Sequence, residues 1–145
     1  MEKVILTEKN FSRLKEFVKK NKNKEIIFSS EDDDYNRKVM EKLDINILLI
    51  NLEGRKDYMK QRNSGFNQVM AKVAAKRGIV VGINFDELIN SKDRERILSR
   101  IRQNVKLCNG NKVQMKFLGN EKRDIYSLKS LGLVLGMPTW MIKGL

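Results

Sequence analysis

Short apolar runs alternate with longer amphipathic segments along the whole chain. Two of the runs, 45–52 and 79–85, are nearly continuous in Ile, Leu and Val, which is typical of strands covered on both faces. Strands of that kind belong to parallel sheets, because the helices of the crossover connections cover the sheet. In chain order, the pattern predicts strands at 4–6, 25–30, 45–52, 79–85 and 113–118.

A helix with one apolar face is predicted after each of these strands. The positions expected to point inward include Phe17, Val69 and Val134. Small polar or acidic residues ahead of an apolar face predict where a helix begins, and glycine or proline predicts where it ends. The predicted starts are Thr7, the acidic run 31–34, Ser64, Ser91 and Asp124, and the predicted ends are Gly78, Gly136 and Pro138.

The strand and helix alternation repeats about five times without a Pro- or Ser-rich linker. One α/β domain over residues 1–145 is therefore predicted, with mainly parallel strands. Eight such units would close a barrel, and the chain has room for fewer. An open sheet or an incomplete, truncated TIM-like (βα) barrel is the fold class that this pattern favours.

The composition adds a strong positive charge and a missing side chain. Thirty Lys and Arg face eighteen Asp and Glu, which gives a net charge of +12, and the chain has no histidine. Clustered cations gain free energy by displacing counterions from phosphates, so a nucleic acid is the expected partner. Histidine is the usual general base and zinc ligand near neutral pH. We therefore expect the chain to hold a nucleic acid without cutting it and to bind no metal or cofactor.

Other bulk features predict a cytoplasmic protein. The first residues contain only a three-residue apolar run, which does not resemble a secretory signal. No apolar stretch approaches the roughly 18 residues of a membrane span. One cysteine, Cys108, cannot form an internal disulfide, and it is expected to belong to the core.

Basic residues cluster at three places in the second half of the chain. Lys92, Arg96 and Arg100 recur at four-residue steps, so a helix would carry them on one face. Arginine suits phosphate oxygens because its guanidinium donates two parallel hydrogen bonds. The alternative is a solvated helix face without a ligand. The candidates for nucleic-acid contact are Lys72, Lys76, Arg77, Arg96, Arg100, Lys122 and Arg123.

Two motifs offer weaker candidates for chemistry. The acidic run 31–34 follows a strand, where carboxylates hold magnesium in many α/β folds, but acids at a helix start also offset the helix dipole. Ser64 could be a nucleophile only with a base beside it, so helix capping is the favoured interpretation. No catalytic residue is assigned.

The segment Ser64-Gly65-Phe66-Asn67-Gln68-Val69-Met70-Ala71-Lys72, which leads through Gly78 into the next strand, resembles the ribonuclease P protein component 3 family. The similarity continues in 97–107, at Arg123, and in 128–137, whose Ser-Leu-Gly…Gly-Met ending is like that of the family. It covers at least 63–137. Lys72 and Arg123 are the candidates that also match the family pattern.

The resemblance implies a TIM-barrel-like subunit of a ribonucleoprotein that removes the 5′ leader from precursor tRNA. It further implies that the ribonuclease P RNA holds the catalytic magnesium ions, that a smaller protein subunit is a partner, and that precursor tRNA is an indirect one. The chain is shorter than typical members, and we expect the shortfall in the N-terminal βα units.

Two other functions remain open from the residues alone. A small metal-dependent phosphoesterase would use carboxylates such as Asp32, Asp34 and Asp86. A protein-interaction module would present a sheet edge or an apolar patch to a partner.

Overall fold

The computed structural model describes residues 1–120 and 122–145 and contains one parallel sheet of five strands. The sheet order equals the chain order, and each strand pairs in parallel with the next. The strands are β1 (Lys3–Leu6), β2 (Glu25–Phe28), β3 (Ile47–Ile50), β4 (Val80–Asn84) and β5 (Met115–Leu118). All five predicted strands are confirmed, and β1 and β5 form the two edges of an open sheet.

Helices connect the strands and cover the sheet. They are α1 (Phe11–Lys20), α2 (Asp33–Lys42), α3 (Gln68–Arg77), α4 (Phe85–Asn90), α5 (Arg94–Asn111), α6 (Ile125–Val134) and α7 (Thr139–Lys143). The short helix α4 was not predicted. It begins where the fourth strand was expected to continue, because the Asn84 side chain accepts a hydrogen bond from the Glu87 N–H and caps a helix. Among the described residues, no helix is long and apolar enough to cross a membrane.

Three predicted helix starts are wrong by two or three residues. Asn10 rather than Thr7 caps α1, and Asn67 rather than Ser64 caps α3, where its side chain accepts from the Met70 N–H at 2.9 Å. Ser91 precedes α5 by three residues and accepts from the Asp93 N–H instead. The acidic start of α2, the Asp124 start of α6 and the Gly78 end of α3 are confirmed; Gly78 is in the left-handed conformation at φ 68°.

Three residues predicted to point inward are exposed. Phe17 is 38% exposed, Val69 46% and Val134 66%. Each lies on a helix that buries other residues: Leu14 and Val18 on α1, Met70, Ala71 and Ala74 on α3, and Gly132 on α6. The prediction for these three positions is therefore wrong, although the helices themselves are present.

The two faces of the sheet bury different residues. Toward the helices, alternate side chains such as Phe28, Leu48 and Ile83 enter the main core. On the opposite face, the absence of a side chain at Gly82 leaves room for side chains of the neighbouring strands. A Cβ there would lie 2.8 Å from a Leu118 methyl carbon and 3.1 Å from one of Ile47. The side chains of that face therefore pack closely over Gly82.

Candidate nucleic-acid interface

Six of the seven predicted cations are exposed residues: the five described first, and Arg77. Lys72 and Lys76 lie one turn apart on α3, and Lys122 and Arg123 lie between β5 and α6. The Arg96 side chain is 63% exposed, and its Nε lies 3.8 Å from Asp93 at the start of α5. Their exposure makes these five side chains accessible to a polyanion.

Arg77 connects two helices. Its Nη1 donates to the carbonyl oxygens of Met40 and Glu41 at 2.9 and 2.6 Å, and its Nη2 contacts Asp44 at 2.6 Å. These acceptors lie at the end of α2 and just after it, so the guanidinium fastens the end of α3 to that segment. Only 28% of the side chain is exposed, and much of its hydrogen-bonding capacity is already used.

Arg100 is buried, and its predicted contact with nucleic acid is wrong. The residue is 1% exposed and donates in three directions: from Nε to Asp57 at 3.1 Å, and from Nη1 and Nη2 to the carbonyl oxygens of Leu52 and Arg55, both at 2.6 Å. The four-residue step from Arg96 is correct, but the segment after β3 folds over this part of α5. Arg100 therefore has a structural role inside the protein.

Asp57 is the second half of that contact and organises the segment 53–63. Its carboxylate accepts from the Asn63 N–H at 2.8 Å, from Arg100, and from Arg62 Nη1 at 3.0 Å. The Asn63 N–H and the Arg100 guanidinium hold the pKa of Asp57 well below its usual range. The carboxylate is therefore charged at every pH at which the protein would be studied.

Arg55 ties the same segment to α2. Its Nη1 and Nη2 donate to the two oxygens of Asp33 at 2.8 and 2.9 Å, which is the bidentate geometry. Nε donates to the carbonyl oxygen of Asn51 at 2.7 Å, and Nη1 also contacts Asn63. Arg55 is not recognisable from the sequence, since no local pattern connects it to an aspartate 22 residues away.

Neutral polar side chains line the carboxyl ends of the central strands. Asn51 donates to Ser29 Oγ at 3.2 Å, and Asn84 donates to Asn51 Oδ1 at 2.9 Å. Beside them, Glu87 Oε1 accepts from the N–H groups of Leu52 and Glu53 at 2.6 and 3.0 Å. Burial raises the pKa of Glu87. In α/β folds, ligands bind at this end of the sheet, and here the side chains hold loops to one another.

A cleft of about 620 Å³ opens beside the segment 53–63. Two helix starts, the loop before α3 and the middle of α5 enclose it. Cations, amides and two aromatic rings share the lining. The residues that characterise it are Arg37, Arg62 and Lys106; Gln61, Asn63, Gln68 and Gln103; Tyr58 and Phe66; and Asp33 and Asp34.

Two of the three carboxylates considered for metal binding have other roles. Asp32 caps α2 by accepting from the Asp34 and Tyr35 N–H groups, and Asp86 accepts from the Asn120 N–H. Within residues 1–120 and 122–145, no three His, Cys, Asp or Glu side chains are grouped so that they could hold a metal ion.

Ser64 and Cys108 are both buried. Burial raises the pKa of the Cys108 thiol to about 12, and the Ser64 hydroxyl donates to the Phe66 carbonyl oxygen. Cys108 is 0% exposed, which confirms its predicted place in the core.

Comparison with known proteins assigns the chain to a family. Residues 3–139 match the family model described as RNase P subunit p30. The chain belongs to the RNase P subunit p30 family. The predicted relationship is thereby confirmed, and it extends well beyond the motifs in 63–137 that first indicated it.

Relatives of this p30 family member include proteins of Methanococcus maripaludis strains S2 and C7. Both are described as ribonuclease P protein component 3, and they are 30% and 28% identical to this chain over 137 residues. The alignments cover 92% of this chain but 56% of each relative. The chain thus spans little more than half the length of the curated relatives it matches.

A solved structure shares the fold of this family member. It is a chain in a cryo-EM structure of archaeal ribonuclease P with mature tRNA, with a TM-score of 0.80 at 24% sequence identity. The similarity covers 96% of this chain and 62% of that chain. The α/β, TIM-barrel-like prediction is confirmed, and the described sheet contributes five parallel strands to that type of fold.

Proposed function

We propose that this chain is a non-catalytic protein subunit of ribonuclease P that binds and stabilises the catalytic RNA during 5′-leader removal from precursor tRNA. The observation that carries the proposal is the family match over residues 3–139. A net charge of +12 supports it, since a polyanionic partner would offset so large a self-repulsion.

In this proposal, exposed cations hold phosphate oxygens of the RNA backbone. Lys72, Lys76, Arg96, Lys122 and Arg123 have the exposure that such contacts need. Contacts of this type position an RNA without reading its bases, because phosphates carry no sequence information. Arg77 can add a contact through the part of its guanidinium that faces solvent, whereas Arg100 stabilises the loop beside them.

Catalysis is assigned to the RNA and its magnesium ions. The chain lacks histidine, which is the one side chain whose unperturbed pKa lies near neutral pH. The neutral Ser29, Asn51 and Asn84 at the strand ends hydrogen-bond with one another, which suits a structural role. We place the complex in the cytoplasm, with precursor tRNA as an indirect partner.

A smaller protein subunit is the second proposed partner, and α6 offers a surface for it. Tyr126, Leu133 and Val134 are 79%, 65% and 66% exposed, and their spacing puts them on one side of the helix. Exposed apolar side chains grouped in this way mark protein contacts more often than solvated surfaces. A Leu133→Glu change should abolish co-elution with the small subunit and leave RNA binding within twofold.

The test of RNA binding compares two triple variants with equal charge. One changes Lys72, Lys76 and Lys122 to Ala; its control changes Lys15, Lys19 and Lys20 on α1, which are equally exposed. Affinity for ribonuclease P RNA is measured across a salt series, together with precursor tRNA cleavage after reconstitution with the partner proteins. We expect the first triple variant to reduce the salt slope by about 2 to 3, since each lysine neutralises one phosphate.

Several outcomes would contradict the proposal. Equal salt slopes for the two triple variants would contradict the assignment of Lys72, Lys76 and Lys122 to the RNA-binding surface. Cleavage that is the same with and without the chain would contradict its role as a subunit. Magnesium-dependent hydrolysis by the chain alone, lost in Asp32→Asn or Asp86→Asn, would support the phosphoesterase alternative.

A further inference from the structure

We propose that the cleft beside the segment 53–63 holds one unpaired nucleotide of the RNA, with its base on the Tyr58 ring and its phosphates on Arg62 and Lys106. The inference rests on the RNA-binding function proposed above and names the kind of RNA that this particular site recognises. The cleft volume of about 620 Å³ lies within the range of nucleotide-sized ligand sites, and a duplex would not enter it.

Tyr58 is an exposed aromatic ring on a rigid support. It is 59% exposed and lines the cleft, so the face of the ring is accessible to a base. Its own N–H donates to the Gln61 carbonyl oxygen at 3.0 Å. The residue before it, Asp57, is fixed by Arg100, and Arg62 is bonded to Gln103 in both directions, at 3.1 and 2.9 Å. A base that stacks on this ring would therefore cost little loop entropy.

Three cations line the same cleft as the ring. Arg37 and Arg62 each make one ion pair, with Glu41 and Asp57, and each side chain remains 48% exposed. Lys106 is exposed, and no ion pair is found for it within the described part of the chain. Guanidinium and ammonium groups next to an aromatic ring are the usual combination for single-stranded nucleic acid, because the ring takes the base and the cations take the backbone.

The charges of the remaining lining residues indicate on which side of the cleft the phosphate and the base would lie. Asp33 is neutralised by the bidentate contact with Arg55, but Asp34 is exposed and would repel a phosphate. The phosphate side of the site is therefore the Arg62 and Lys106 side, and the amino group of a base faces Asp34, which can accept its hydrogen bond.

Amide side chains supply additional donors and acceptors, and they are already oriented. Gln68 and Asn111 bond each other in both directions, at 3.3 and 3.1 Å, and Gln103 contacts Ser64 at 3.0 Å. An amide presents both a donor and an acceptor, which allows it to pair with the edge of an unstacked base. An RNA loop or single strand, whose bases are free to turn outward, fits this lining better than a helix does.

The experiment measures fluorescence anisotropy of the full chain with a labelled single-stranded RNA and with a duplex RNA of the same length. Tyr58→Ala is compared with Tyr58→Phe, which keeps the ring, and with Phe17→Ala, which removes an exposed ring on α1 that does not line the cleft. We expect Tyr58→Ala to weaken single-strand binding about tenfold, as the loss of one stacked base does. Tyr58→Phe and Phe17→Ala should stay within twofold of the unmodified chain, and duplex binding should not change.

The possible failures are distinguishable. If the chain binds neither RNA at low salt, the proposed function and this site both fall. If it binds both RNAs in a salt-dependent manner and Tyr58→Ala behaves like Phe17→Ala, only the nucleotide site falls. If Tyr58→Phe weakens binding as much as Tyr58→Ala does, the hydroxyl rather than the ring makes the contact, and stacking is overturned. Circular dichroism of each variant confirms that the fold is retained.

Discussion

Arg100 and Asp57 form an ion pair between residues that lie 43 positions apart in the chain, with Nε of the arginine 3.1 Å from Oδ1 of the aspartate. The arginine side chain is 1% exposed and the aspartate side chain 20%. The pair fastens the segment 53–63 to α5, and that segment carries Tyr58 at the cleft. Arg100 thus forms its ion pair inside the protein, and this ion pair holds in place a segment whose other residues line the cleft.

Replacing Arg100 should destabilise the fold. Arg100→Ala removes one of the three donors of Asp57 and deprives the carbonyl oxygens of Leu52 and Arg55 of the same buried guanidinium, which should cost about 3 kcal/mol in the free energy of unfolding. Urea denaturation followed by circular dichroism gives this value. Arg96→Ala on the same helix is the control, and its stability should change by less than about 0.5 kcal/mol. Equal stability of the two variants would contradict the structural role of Arg100.

Gly65 and Gly78 test the packing around the cleft. Both have positive φ, at 67° and 68°, so an alanine at either position costs about 1 kcal/mol in backbone strain. A Cβ on Gly65 would also lie 2.6 Å from Arg55 Nη2 and 2.9 Å from a side-chain carbon of Ile50, whereas a Cβ on Gly78 meets nothing within 4 Å.

Gly65→Ala should therefore lower the free energy of unfolding by at least about 1 kcal/mol more than Gly78→Ala does, because its added methyl group overpacks the contact with Arg55 and Ile50. It should also loosen the contact of Arg55 with Asp33. Thermal unfolding of the two variants side by side measures the difference. Equal melting temperatures would show that Arg55 can move aside at no cost.

The carboxyl of Glu87 should make stability depend on pH. Burial raises its pKa in the folded protein above the ordinary value of 4.5. As the pH rises through 4.5, the unfolded chain therefore releases this proton first, and the folded protein loses stability until its own Glu87 ionises. Glu87→Gln keeps an oxygen acceptor for the Leu52 N–H and carries no charge, so it avoids this loss.

The stability of Glu87→Gln relative to the unmodified chain should therefore increase between pH 4 and pH 7. Glu16→Gln, at an exposed position on α1, is the control and should show no such trend. Chemical denaturation at a series of pH values provides the measurement. A relative stability that falls with pH would mean that the two N–H donors outweigh burial at Glu87.

Local periodicity was sufficient to predict the strands and most of the helices. The apolar run 45–52 contains β3, and the acidic run before α2 and Gly78 after α3 mark the ends of helices through contacts within a few residues. Such signals are readable because the chemistry that produces them lies within one or two turns of chain. The motif at 64–72 was likewise enough to indicate the family.

Tertiary structure decided which side chains are available for binding. Arg100, a charged residue, is 1% exposed, while Val134, an apolar one, is 66% exposed, and in both cases the reason is a distant segment that does or does not cover the helix. The segment 53–63 has no helical or strand period, and Arg55 and Asp57 give it a defined shape through partners 22 and 43 residues away. Burial depends on what packs against a residue, and a one-dimensional pattern does not contain that information. The sequence by itself thus determined a basic, parallel α/β protein of this family, and only the folded chain determined which of its cations and aromatic rings are exposed.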